Sequence, residues 1–100
     1  MITIRVIFKI KGDHRNNFLN HIRQEVQDTQ SWKGCHRFGV FEDVTKPDTF
    51  ILYEEWNTLE DFEAYKKSDF FKVSGDKVFP MMEGSHDTAY YTANELSQVC

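Results

Sequence analysis

One hundred residues, with 16 acidic against 12 basic side chains, a net charge of −4 and 40% hydrophobic content, describe one globular domain that buries one core. The charge is spread along the chain with no basic patch interleaved with aromatics, which argues against nucleic acid as a partner. Arg5 and Lys9 interrupt the first ten residues and no later run reaches membrane-spanning length, so no membrane partner and a cytoplasmic location are expected.

From Ile2 to Ile10 the even positions are Ile2, Ile4, Val6, Phe8 and Ile10, which predicts a strand with one buried face. Gly12 and Asp13 break it. From His14 to about Thr29, Phe18, Leu19, Ile22 and Val26 fall on one stripe of a helix. Ser31 to Gly34 turn the chain into a strand over Cys35 to Val44, with His36, Phe38 and Val40 on one side. Thr45, Lys46, Pro47 and Asp48 form a hairpin loop. Next comes the densest apolar run, Phe50, Ile51, Leu52 and Tyr53, followed by two carboxylates and Trp56, a strand with both faces at least partly covered. Thr58 is a plausible N-cap with Asp61 at the capping-box offset, and Leu59, Phe62 and Tyr65 recur at helical spacing, giving a helix over 58–68. Phe70 to Met82 supports one more short helical piece, interrupted near Gly75. Gly84 precedes a last strand over His86 to Thr92, so residues 1–92 form the domain and 93–100 a C-terminal tail.

The order strand, helix, strand, strand, helix, strand predicts an α+β, ferredoxin-like βαββαβ fold with both helices on one face of a four-stranded antiparallel sheet. The opposite face then carries Ile7, Phe41, Ile51, Tyr53 and Tyr91. An apolar patch of that size marks an interface, which predicts a two-fold homodimer with the two sheets facing each other in a dimeric α/β barrel.

The order of elements, the Gly34-Cys35-His36 turn and the stretch Tyr53-Glu54-Glu55-Trp56 followed by LEDFEAYKKSDFF resemble the antibiotic biosynthesis monooxygenase domain family. The resemblance spans about Ile2 to Tyr91. That family includes quinol monooxygenases, small cofactor-free oxygenases, an isomerase and haem-degrading enzymes, so fold and dimeric assembly are implied more sharply than reaction type. Many members carry a His nine residues after the Trp and another fourteen after it; here those positions hold Tyr65 and Phe70. The haem-degrading branch needs a Trp at the position of Tyr65 and an iron-ligating His at that of Gly75, and this chain has neither.

What the resemblance implies is a cofactor-independent monooxygenase, with neither metal, haem nor flavin, acting on a small aromatic or quinol-like molecule and dioxygen. A base favours the phenolate, the anion passes an electron to dioxygen, and an apolar pocket keeps water away. Phe38, Trp56, Tyr65, Phe70 and Phe71 are candidate substrate-binding walls, and His36, Glu54 and Tyr65 candidate catalytic groups. Each also has a plainer reading. His36, near a strand end, fits a solvent-tipped side chain. Glu54 shares a face with Leu52 and Trp56 and is either paired with an arginine such as Arg5 or Arg37, in its own chain or across the dimer, the favoured reading, or is a perturbed carboxylate at a site. Tyr65 and Trp56 fit core aromatics with satisfied polar tips, although Tyr65 stands where the missing His would act. His14, His21 and His86 lack metal-ligand spacing, with His21 at the edge of the first helix. Cys35 and Cys100 are expected as free thiols. Two alternatives stay open: an isomerase of a small carbonyl metabolite on the same fold, and a non-catalytic ligand-binding dimer.

Overall fold

The computed structural model of the protein describes residues 1–96. Strict alternation from Ile2 to Ile10 makes the first strand, β1 (Ile2–Ile10), a central one, because it has partners on both sides. The helix α1 (Arg15–Gln30) follows a short 3-10 turn, then β2 (Cys35–Glu42), β3 (Thr49–Trp56), α2 (Leu59–Lys66), α3 (Asp69–Val78) and β4 (Met82–Thr92). The sheet order is β2-β3-β1-β4 with every pairing antiparallel. This is the predicted α+β, ferredoxin-like arrangement.

Alternation fixes what each face of the sheet carries. Ile4, Phe8 and Ile10 of β1, Phe50, Glu54 and Trp56 of β3 and Phe38 of β2 are buried under the helices. Two packed clusters result, one around Trp56, Ile4, Phe38, Phe62 and Tyr65, the other around Phe8, Ile10, Phe18, Ile22 and Phe50. Thr58 accepts the Asp61 N–H at 3.1 Å and Ser68 accepts the Phe71 N–H at 3.1 Å. Each hydroxyl satisfies a donor the first helical turn leaves without a partner, so each starts its own helix.

The structure corrects several boundaries. The α3 helix runs through Gly75 without a break. One glycine weakens a helix by about 1 kcal/mol, which the Ser68 cap and the packing of Phe71 and Val78 against the core outweigh. The last strand begins at Met82, four residues before His86, because β1 continues past Ile7 and offers Lys9 and Ile10 to Glu83 and Met82. The register shifts between Ile7 and Lys9, and Gly84, at φ +71°, takes up the bulge. β2 stops at Glu42, before Val44: Arg15 engages the Glu42 carboxylate, which also accepts the Asp48 N–H at 2.9 Å and closes the hairpin. Ala93 exchanges backbone hydrogen bonds with Met1, so the expected tail starts as an extension of the ladder. Its last four residues, with Cys100, lie outside the described residues.

On the open face, Ile7 stands opposite Ile51, and Phe41 opposite Ile51 on the other side. Phe41 is 60% and Tyr91 51% exposed, so the predicted apolar patch exists on this chain. Salt bridges Arg5–Asp87 and Lys9–Glu83 run beside it.

The turn into β2 depends on Gly34, at φ +81°, whose carbonyl accepts the Asn57 N–H at 2.7 Å. A Cβ there would overlap the Asp61 side chain. Gly34→Ala is expected to destabilise the protein by about 2 kcal/mol, from the left-handed backbone and the overlap together. A chemical denaturation series should show the midpoint falling with an unchanged slope.

Candidate functional site

A cavity of about 200 Å³ lies between the helix face of the sheet and the three helices. Its walls are largely apolar, with Ile4, Val6 and Phe8 from β1, Phe38 from β2 and Phe71 from α3 among them. The polar groups on it are few: Glu25 from α1, Glu54 from β3, Tyr65 and Lys66 from α2, Ser74 from α3, and His86 and Thr88 from β4. At the mouth Phe79 stacks on His86 at 6.5 Å, and the Lys66 ammonium sits over the rings of Phe62 and Tyr90 at 5.4 and 5.9 Å.

Glu54 is placed by the ladder, opposite Ile4 on one side and Phe38 on the other. It is 4% exposed. Trp56, two residues on and therefore on the same face, donates its Nε1–H to Glu54 Oε1 at 2.9 Å. Burial raises the Glu54 pKa to about 7, opposed by the indole hydrogen bond, reinforced by the charge of Glu25 and relieved slightly by Lys66. Within this chain the expected arginine pairing does not form. Arg5 faces Tyr53 across the ladder, so it projects to the open face and binds Asp87 at 3.3 Å; Arg37 lies 3.6 Å from Glu55. Period-two alternation keeps both guanidinium groups on the wrong side of the sheet.

A second carboxylate shares the cavity. Glu25 is 8% exposed, and burial raises its pKa against the opposing effect of His21. The His21 Nε2 lies 3.3 Å from Glu25 Oε1 and 3.3 Å from Ser74 Oγ. Sequence reasoning passed over Glu25, although the signal was there. Phe18, Ile22, Glu25 and Thr29 are the buried residues of α1 and follow one helical stripe, so a carboxylate on that stripe had to go inward. His21, read as a helix edge, is the imidazole that reaches it.

Tyr65 is 2% exposed and packs against Trp32, Phe38, Trp56, Phe70 and Phe71, with centroids 5.0 to 6.3 Å away. Burial holds its phenol well above the ordinary range, so it stays protonated; the neighbouring Thr29 hydroxyl opposes the shift. Thr29 Oγ1 is itself buried, with no well-formed partner among the described residues.

Of the sequence-predicted residues, the structure brings Phe38, Glu54, Tyr65 and Phe71 to the cavity wall. Trp56, fully buried, stands behind Glu54, and Phe70 packs on Trp32 and Tyr65 as second support. His36 is exposed and away from the cavity. The register of β2 shifts between Cys35, opposite Trp56, and Arg37, opposite Glu55. His36 is the extra residue of that bulge, and Cys35 takes the inward place beside Trp56 that plain alternation gives to His36. Burial and the nearby Glu54 push the Cys35 thiol up to about 11, which keeps it protonated. Among the described residues no three His, Cys, Asp or Glu side chains converge as metal ligands would.

The family model described as "Antibiotic biosynthesis monooxygenase" matches residues 1–74. A Bacillus subtilis (strain 168) protein named "Putative monooxygenase YcnE" is 30% identical over 56 residues, which cover 56% of this chain and 59% of that relative, so the match spans less than two thirds of its length. A Deinococcus radiodurans crystal structure described as a "putative antibiotic biosynthesis monooxygenase" has a TM-score of 0.90 at 18% identity, over 100% of this chain and 99% of its own. One from Nitrosomonas europaea, described in the same words, has 0.85 at 24% identity, over 93% and 98%. At these identities the structural likeness speaks for the fold.

The buried Glu54 makes a stability prediction. Its folded-state pKa is raised from 4.5 to about 7, so between those values the folded protein holds a proton that the unfolded chain has lost. Stability contributed by the protonated group is present at acid pH and declines as pH rises through the window. Against Glu54→Gln, whose amide does not titrate, the wild type is expected to lose on the order of 3 kcal/mol from the acid to the alkaline side. Denaturant midpoints for both proteins across pH check this, and parallel curves would show that Glu54 ionises as it does in water.

Proposed function

We propose that this chain, which belongs to the antibiotic biosynthesis monooxygenase family, oxygenates a small phenol or hydroquinone in the cavity under its sheet, with Glu54 as the base. The observation that carries the reading is a carboxylate 4% exposed on a largely apolar wall, with no cation paired to it among the described residues and a pKa near 7. A base poised near neutral pH is what proton removal from a phenol requires.

The substrate supplies the electrons. A hydroquinone that loses a phenolic proton to Glu54 becomes an electron-rich phenolate, which reduces dioxygen and forms a carbon–oxygen bond on the ring. One oxygen atom stays in the product hydroxyquinone and the other leaves as water. All four electrons needed come from the ring, so the reaction balances without an external reductant. Tyr65, kept neutral by burial, serves as a hydrogen-bond donor, and the aromatic wall excludes water. An apolar cavity of about 150 Å³ takes a benzene. At about 200 Å³ this one suits a single substituted ring, and a three-ring anthrone would have to project through the mouth.

The assembly and location belong to the same proposal. Two copies pack through the open face that carries Phe41 and Tyr91, which a monomer would leave to solvent. The protein works in the cytoplasm; none of the described helices is long and apolar enough to cross a membrane.

Oxygen consumption with a panel of hydroquinones tests the chemistry. Uptake is expected to rise with pH through about 7 as Glu54 ionises. Glu54→Gln should lower the rate by roughly 10² to 10³-fold, as loss of a general base does. Tyr65→Phe should lower it about tenfold, the worth of one hydrogen bond, while His36→Ala leaves it unchanged. Turnover of a carbonyl metabolite without oxygen loss would replace this reading with the isomerase. For the assembly, sedimentation at micromolar concentration should give a dimer, and Phe41→Asp a folded monomer. A wild-type monomer would remove the face-to-face assembly.

A further inference from the structure

We infer that Glu25 and Glu54 hold one proton between them across the cavity, with Glu54 its base, Glu25 its acid, and His21 with Ser74 the route by which Glu25 regains a proton from solvent. Both carboxylates line the same cavity from opposite walls, one on α1 and one on β3. They are 8% and 4% exposed. The indole of Trp56 donates to Oε1 of Glu54, and among the described residues no donor reaches its Oε2. On the other wall His21 bridges Glu25 and Ser74, each at 3.3 Å, and its own side chain is 21% exposed, so it connects the buried carboxyl to water.

The charge inventory around the pair is small. From α2 come Tyr65, held neutral, and Lys66; from α3, Ser74; from β2, the protonated Cys35 thiol; from β4, Thr88 and His86 at the rim. Among the described residues Lys66 is the one permanent cation on the cavity, and it is exposed. Two buried anions facing one exposed ammonium cannot both ionise cheaply, so the pair titrates in two separated steps and keeps one proton between them. The indole N–H and Lys66 both favour the anion on Glu54. His21 favours the anion on Glu25 in the same way, but its partly exposed ring also returns a proton to that wall, so the retained proton is assigned to the Glu25–His21 pair.

This division of labour rests on the oxygenase reading for the fate of the proton. Glu54 takes the phenolic proton; the ring carbon bonds to dioxygen and leaves a peroxide anion; Glu25 donates to its terminal oxygen. The hydroperoxide then loses the ring hydrogen as a proton and its terminal oxygen as hydroxide, which combine as water while the carbonyl forms. Glu54 has gained one proton and Glu25 lost one, and exchange through His21 and the cavity restores both.

The sharing itself needs no substrate. Carboxyl ¹³C NMR titration of the wild type, Glu54→Gln and His21→Gln reads it directly. Glu54 is expected to titrate near 7 in the wild type, and the Glu25 midpoint, which follows it, to fall by roughly one to two pH units in Glu54→Gln, where a neighbouring negative charge is gone. In His21→Gln the Glu25 midpoint should rise, because the imidazole contact that favours its anion is lost. A Glu25 midpoint unmoved by Glu54→Gln overturns the proposal, whatever oxygen uptake shows. In turnover, Glu25→Gln should lose the alkaline limb of the pH profile and keep the acid limb; an unchanged profile would overturn the acid role. Coupled titration in a protein that consumes no oxygen with any phenol supports the shared proton and removes the oxygenase reading alone.

Discussion

A carboxylate held under three helices by a single indole N–H is the constraint from which the rest of this molecule follows. Taking Glu54 out of water opposes its ionisation, and one neutral hydrogen bond from Trp56 returns only part of the lost solvation. The surrounding fold has to supply the difference. It does so with aromatic packing: Trp56 is fully buried and packs at a tilt against Tyr65 and Phe62, with ring centroids 5.0 and 5.9 Å away, so the indole is held by both neighbours. A truncation of Trp56 would remove the carboxylate's donor and about 3 to 5 kcal/mol of core packing at once, which is why the informative substitutions here are the isosteric ones.

The same constraint sets a conflict between stability and chemistry. Glu54 is most comfortable protonated, yet a base must be ionised to act, so the folded protein is least favourably disposed toward this residue in the pH range where the residue is useful. Such local inconsistency is ordinary at sites and uncommon in cores that only need to pack. Glu25 points the same way. A helix stripe of Phe18, Ile22, Glu25 and Thr29 puts a carboxylate where a leucine would pack better, and the fold accepts it beside a histidine that reaches solvent.

The fold was legible because its signals are periodic. Even positions of β1 and the apolar run of β3 fix which face is covered, and Thr58 marks the start of α2 with the hydrogen bond it goes on to make. Irregularities were less so. The bulge at His36 and the one near Gly84 each depend on a partner strand's register, which no local pattern carries. The first of these turns His36 outward and Cys35 inward, so an alternation argument that was correct for Phe38 and Val40 failed one bulge earlier. The site was half legible. Glu54, Tyr65, Phe38 and Phe71 stand on strongly patterned elements and reach the cavity; Glu25, His21 and Ser74 meet only because two helices pack over the same sheet.

Two neighbouring glutamates show how little chemistry separates a site from a surface. Glu54 and Glu55 are the same residue one step apart on one strand. Glu55 faces the open side, where the Tyr53 hydroxyl and Arg37 attend it, and it is an ordinary charged partner. Glu54 faces the helices, with no cation in contact among the described residues, and burial raises its pKa to about 7. Nothing in side-chain type distinguishes them; only the register of β3 against β1 does, through Ile4 opposite Glu54 and Thr3 opposite Glu55. A slip of one residue would exchange them, bury Tyr53 and Glu55, and send Trp56 to the open face. The alternating apolar residues of β1 and β3 therefore do more than close a core. By refusing that slip they decide which of two identical acids is buried, and so where the proton chemistry resides.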